Sequence, residues 1–95
     1  MEKFKLGTVV ATPPMLAAFE KTGEHPAPFV ARHVSGDWGD LSAHDRRANE
    51  AALKDGSRIW SVYKLKDGQK FYIITAATDD NGTREYTTLM LPEDY

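Results

Sequence analysis

The chain has no cysteine, which removes disulfides, thiolate catalysis and every cysteine-based zinc or iron–sulfur site, and fits a reducing, cytoplasmic setting. It has no apolar run approaching the ~20 residues that span a bilayer, and its start, "MEKFKLGTVVATPP", lacks the unbroken apolar stretch of a signal peptide. It has no strong charge of either sign. A formal net charge of −2 sets up no overall field to attract phosphate backbones or anionic lipid, although local basic patches can exist within it. Enzyme motifs are missing too: there is no Gly-x-Ser-x-Gly elbow, no phosphate-binding loop and no glycine-rich dinucleotide fingerprint. "HDRRAN" resembles a kinase catalytic loop only superficially, with no kinase around it. The expectation is a soluble, cytoplasmic, non-catalytic protein without cofactor or membrane anchor.

What is present suits one small domain, residues 1–95, with 41% apolar and 27% charged residues and enough aromatic bulk for a compact core. "KFKLGTVVA" alternates at strand spacing and predicts a short first strand. In "ATPPMLAAFEKTG", Thr12 suits the N-cap of a helix, Pro13 a first-turn position that needs no amide, and Gly23 the stop. Met15, Leu16 and Phe19 give that helix an apolar face. "EHPAPFVARHVSG" predicts a second helical piece of about two turns ending at Gly36.

The polar stretch "HVSGDWGDLSAHDRRAN" follows. Gly36 and Gly39 allow a turn around Trp38, which reads as a structural anchor plugging a gap in the core. Ser42 then caps a third helix, with Asp45 reaching back as in a capping box, and that helix runs on Ala48, Ala51, Ala52 and Leu53 to Gly56.

Asp67-Gly68 and Asn81-Gly82 sit between β-rich runs and mark two hairpins. Two-residue loops at both would set Tyr63 opposite Tyr72, Ser61 opposite Ile74, and Ile74 opposite Leu89. One face would then carry Ile59, Tyr63, Leu65, Tyr72, Ile74, Leu89 and Leu91, and the other Trp60, Val62, Phe71, Ile73, Tyr86 and Met90 beside Lys64, Thr75 and Thr88. The predicted fold is α+β: an N-terminal strand, two to three short helices, then a three-stranded antiparallel meander with the helices on one sheet face. The second face then needs the first strand, the chain ends or another molecule to cover it.

Four functional readings compete. A polar site could gather His33, Asp37, His44, Asp45, Arg46 and Asn49, and a hydrolase or nuclease would draw its acid and base from this set, given a cleft. A metal site would use His25, His33 and His44 with Asp37 or Asp40, but the spacings match no ligand motif, and His33 and His44 have simpler roles in capping or surface charge. Single-stranded nucleic acid could stack on Trp60, Phe71 and Tyr86 beside Lys64, with Arg46, Arg47, Lys54 and Arg58 as a basic edge. The leading reading is association with a protein partner or a second copy through Trp60, Phe71, Ile73, Tyr86 and Met90. The "LPEDY" tail reads as a frayed end with Leu91 docked.

The segments "LGTVVATPP", "PFVARHVSGDWGDLSAHDRRANEAALKDGSRIWSVYKL", "FYIITAAT" and "TTLMLPEDY" resemble a family of short uncharacterised bacterial proteins, often plasmid-related or encoded near integrated elements. The resemblance runs over nearly the whole chain. Its most specific parts are Arg32-His33, Gly36 to Gly39, Asp45 to Asn49 and the closing Leu91 to Tyr95. It implies a mobile-genetic-element setting and carries no catalytic or ligand role to these positions. Restriction-modification labels attached to some relatives do not transfer, because this chain is too short for a methyltransferase fold and lacks its cofactor loop.

Overall fold

The computed structural model describes residues 2–95 and follows the order β1 (Thr8–Ala11), α1 (Pro13–Thr22), α2 (Ala27–Val34), α3 (Ala43–Asp55), β2 (Ile59–Lys64), β3 (Lys70–Thr75) and β4 (Tyr86–Met90), ending in a 3₁₀ turn at Pro92–Asp94. The fold is α+β. The first strand does not stand apart from the meander but joins it, giving a mixed four-stranded sheet in the order β1-β4-β3-β2, with β1 parallel to β4 and the other pairs antiparallel. No helix among the described residues is long and apolar enough to cross a membrane.

Local chemistry explains the helix bounds. Thr12 accepts the Met15 amide at 3.3 Å and Pro13 starts α1; Ser42 accepts the Asp45 amide at 3.1 Å and starts α3. Gly23 and Gly56 end these helices in left-handed conformation. The capping box at Ser42 is only half formed, because the Asp45 carboxylate meets His44 at 3.4 Å instead of returning to Ser42.

Both hairpins form where the Asp-Gly and Asn-Gly pairs stand, but each loop is one residue longer than expected. The Leu65 amide donates to Gln69 at 2.9 Å and the Gly68 amide to Leu65 at 2.9 Å; the Asp79 amide donates to Thr83 at 2.9 Å and the Gly82 amide to Asp79 at 3.0 Å. These are three-residue loops in which only the glycine is left-handed, at φ 86° for Gly68 and 76° for Gly82. A two-residue type I′ turn would put Asp67 and Asn81 at positive φ as well, and no non-glycine residue described here has one. Each extra residue slips the register by one. Tyr63 therefore pairs with Phe71, Val62 with Tyr72, Ser61 with Ile73, and Ile73 with Leu89.

Two slips of one residue turn β3 over while leaving β2 and β4 as expected. Phe71, Ile73 and Thr75 join Ile59, Ser61, Tyr63, Thr87 and Leu89 under the helices, and Tyr72 and Ile74 move to the far face with Trp60, Val62, Thr88 and Met90. The main core sits between that inward face and Met15, Ala18 and Phe19 of α1, with Phe29 and Val30 of α2 packed on it. A second cluster, Trp38, Leu41, Ala52, Ile59 and Val62, draws on both faces and closes around the β2 edge.

Candidate functional site

The six polar candidates do not converge on one site. Asp37 takes two hydrogen bonds from Arg32, at 2.8 and 3.3 Å, on the surface. That bonding holds the Asp37 carboxyl below its usual range and raises the Arg32 guanidinium. His44 and Asp45 face each other in solvent. Arg46 donates to the carbonyls of Leu41 at 3.0 Å and Gly39 at 2.7 Å, tying the turn to α3. His25 is exposed, and among the described residues no cluster of histidines and carboxylates could hold a metal ion.

His33 is not a surface or capping group: it is fully buried between α2 and the sheet. Its Nδ1 contacts Ser61 Oγ and its Nε2 lies 2.9 Å from Thr75 Oγ1, which is 2.7 Å from Thr87 Oγ1; Thr87 in turn donates to the Leu6 carbonyl at 2.7 Å. The last bond sets the direction of the rest. Thr87 spends its proton on Leu6, so it accepts from Thr75; Thr75 then accepts from His33 Nε2–H, and His33 Nδ1 accepts from Ser61. The imidazole is thus neutral, in one tautomer, and desolvation pushes it down to about 3. This relay ties α2, β2, β3, β4 and the segment before β1 together. It has no surface from which to act on a substrate.

Trp38 is 3% exposed, stacks on Phe4 at 6.2 Å between ring centroids, and donates its indole N–H to Glu50 at 3.1 Å. Its carbonyl accepts the Val62 amide at 3.2 Å, and the Asp40 amide donates to the Val62 carbonyl at 2.8 Å, so the turn acts as a stub of strand against β2. Gly39 lies so close to the Val62 carbonyl that a Cβ there would overlap it. One residue pair along, Asn49 donates to the Trp60 carbonyl at 2.6 Å and accepts the Trp60 amide at 3.1 Å. The side-chain amide replaces a neighbouring strand's peptide group. The polar stretch therefore seals the β2 edge.

Among the described residues, no strand lies beside the opposite edge. Thr8 and Thr12 donate inward to Glu85 at 3.0 Å and Leu89 at 3.1 Å, and alternation along the strand turns the peptide groups of Val9 and Ala11 outward, where no strand lies. Val9 and Val10, on opposite faces of β1, are 45% and 44% exposed.

The far sheet face keeps three of the five residues expected on it. Trp60, Tyr86 and Met90 are there, whereas Phe71 and Ile73 are fully buried beneath the helices. The tail is not frayed. Asp94 accepts the Leu91 amide at 3.2 Å and the Thr12 hydroxyl at 2.8 Å, which seats Tyr95 over the face, 6.2 Å from Tyr72 between ring centroids, with the Arg58 guanidinium 5.3 Å from the Tyr95 ring. Compared with known families, curated proteins and solved structures, the chain matches none.

The sequence reading missed four residues of this face: Arg58 entered only as part of a diffuse basic edge, Tyr72 and Ile74 were placed on the wrong side by the register, and Tyr95 was left in solvent. The signal for Tyr95 was Pro92 with Asp94, a turn former and a cap in the "LPEDY" tail. Arg84 carried no signal, yet it is 6% exposed and donates to the carbonyls of Ala52, Ser57 and Ala76, at 3.0, 2.7 and 3.0 Å.

Proposed function

We propose that the protein is a small, non-catalytic association module that pairs with a second copy of itself through the β1 edge, in the mobile-element setting its resemblance implies. The observation that carries this reading is the unequal finish of the two sheet edges. The β2 edge is closed by four backbone and side-chain hydrogen bonds, and β1 offers outward peptide groups flanked by exposed valines on both faces. A second β1 laid antiparallel across a two-fold axis at Val10 would satisfy those groups, bringing Val10 against Val10 of the second copy and Val9 against its Ala11, which is self-complementary by symmetry. The scattering of His33, Asp37, His44 and Asp45 into separate structural contacts supports a non-catalytic role.

Sedimentation velocity over a concentration series tests this. The wild-type protein is expected to dimerise. Val9→Lys places a charge on the edge, and Val9→Pro removes an outward amide without touching a bond to β4, so both are expected to be folded monomers. A wild-type protein that stays monomeric at millimolar concentration, or a dimer untouched by either substitution, would sink the proposal.

A further inference from the structure

The far sheet face carries two adjoining clefts, of about 190 and 180 Å³, which share Arg58, Ile74 and Tyr95 as a common ridge. Trp60 and Tyr72 wall the first, with ring planes at 88° and centroids 5.4 Å apart; Tyr86, Thr88 and Met90 wall the second. Each is smaller than the ~300 Å³ at which drug-sized pockets begin, so each has room for one ring system and not for a whole cofactor. We propose that this face binds single-stranded nucleic acid, seating two successive bases in the two clefts with the intervening phosphate at Arg58.

Three independent features point to that ligand. The first is the spacing of functions: an aromatic-walled cleft, a cation and a second cleft walled by Tyr86 and Met90 repeat the order of base, phosphate and base. The second is an unpaired cation. Arg58 has no carboxylate within salt-bridge distance among the described residues, and a phosphate supplies the missing anion. The third is charge. The net charge of −2 is not spread evenly, for the four strands contain Lys64 and Lys70 and no acidic residue; Lys64 lies 4.0 Å from Asp40, and Asp94 stays charged while accepting from Thr12 and the Leu91 amide, which leaves Arg58 and Lys70 as the cations of this face. The face thus presents aromatic rings with those two cations to a polyanion, as stacking platforms for unpaired bases do. Bases inside a duplex cannot enter these clefts. The inference does not rest on β1 pairing, since the clefts are built within one chain.

Fluorescence anisotropy of a labelled oligothymidylate, titrated with the full chain, tests it. Binding is expected for the single strand and to be at least about tenfold weaker for the matching duplex. Tyr86→Ala, at a residue 50% exposed, is expected to weaken binding about tenfold by removing one stacking wall. Arg58→Gln is expected to weaken it and to lower the slope of log affinity against log salt by about 0.7, the loss of one phosphate contact on a single strand. Circular dichroism melts of both variants check that they fold. Thymidine monophosphate competing as tightly as a thymidine dinucleotide for the labelled strand would overturn the two-cleft arrangement. An oligonucleotide that does not bind, as when the face serves a protein ligand, or one that binds equally to both variants, would overturn the site altogether.

Discussion

At the β2 edge, the outward peptide groups of Trp60 and Val62 all have partners, drawn from Asn49, Trp38 and Asp40; at the β1 edge, those of Val9 and Ala11 meet no strand. The two edges belong to one sheet and differ in the segments that adjoin them in the chain. β2 follows a long polar stretch whose turn and helix fold back along it, while β1 is four residues long and leads within two residues into α1. A sealed edge needs a segment free to lie beside it. A polar, histidine-rich motif can be that segment, so its richness in hydrogen-bonding side chains is no index of catalysis here.

The contrast can be broken first at its sealed side. Trp38→Ala removes the indole that seats the turn and is expected to cost about 3–5 kcal/mol in urea unfolding. A loss under about 1 kcal/mol would mean that the turn keeps its place on β2 without the core contact. The His33 relay, which spans from β2 to the segment before β1, gives the next effect. The imidazole has an ordinary value of 6.5 and is held at about 3 in the fold, so the unfolded chain takes up the proton first. Stability is full above about pH 6.5 and falls as pH drops toward 3, by about 1.4 kcal/mol per unit, reaching on the order of 3 kcal/mol by pH 4. Denaturant titrations at several pH values should show this slope, and His33→Gln should abolish it. A wild-type slope that survives in the variant would move the proton to another group.

Asn49→Leu keeps the bulk of the side chain and orphans both peptide groups of Trp60, an expected cost of about 2–3 kcal/mol in thermal or urea unfolding. It should also open the β2 edge to pairing, so aggregation of this variant and not of wild type would sharpen the comparison. Val9→Lys, on the β1 edge, is expected to shift stability by no more than about 0.5 kcal/mol while removing the dimer. A larger loss of stability would show that β1 depends on Val9 for its packing.

Much of the fold could be read from local chemistry. Thr12, Gly23, Ser42 and Gly56 mark helix ends because capping acts over three or four residues, within the reach of sequence inspection. The hairpins were legible and their register was not. Asp-Gly and Asn-Gly suit either a two-residue loop or a three-residue loop with one left-handed glycine, and that single residue decides whether Phe71 or Tyr72 lies in the core. The parallel pairing of β1 with β4 had no local trace, because it joins segments far apart in the chain. His33 was visible as a polar residue on a short helix. Its partners were not, since Ser61, Thr75 and Thr87 look like ordinary strand residues until the corrected register lines them up. The far face was readable as a surface in need of cover, and Trp60, Tyr86 and Met90 belong to it; Arg58 and Tyr95 complete it through contacts only the folded chain brings together.

The sheet order has a consequence for the protein's birth. The first strand to leave the ribosome finds its only neighbour in the last, with Thr8 beside Tyr86. At ~5–20 residues per second of synthesis, β1 waits roughly 4–16 s before β4 exists to receive it. During that interval the valine-rich strand has both edges open, and two nascent chains on neighbouring ribosomes of one message would present it to each other before either has finished its own sheet.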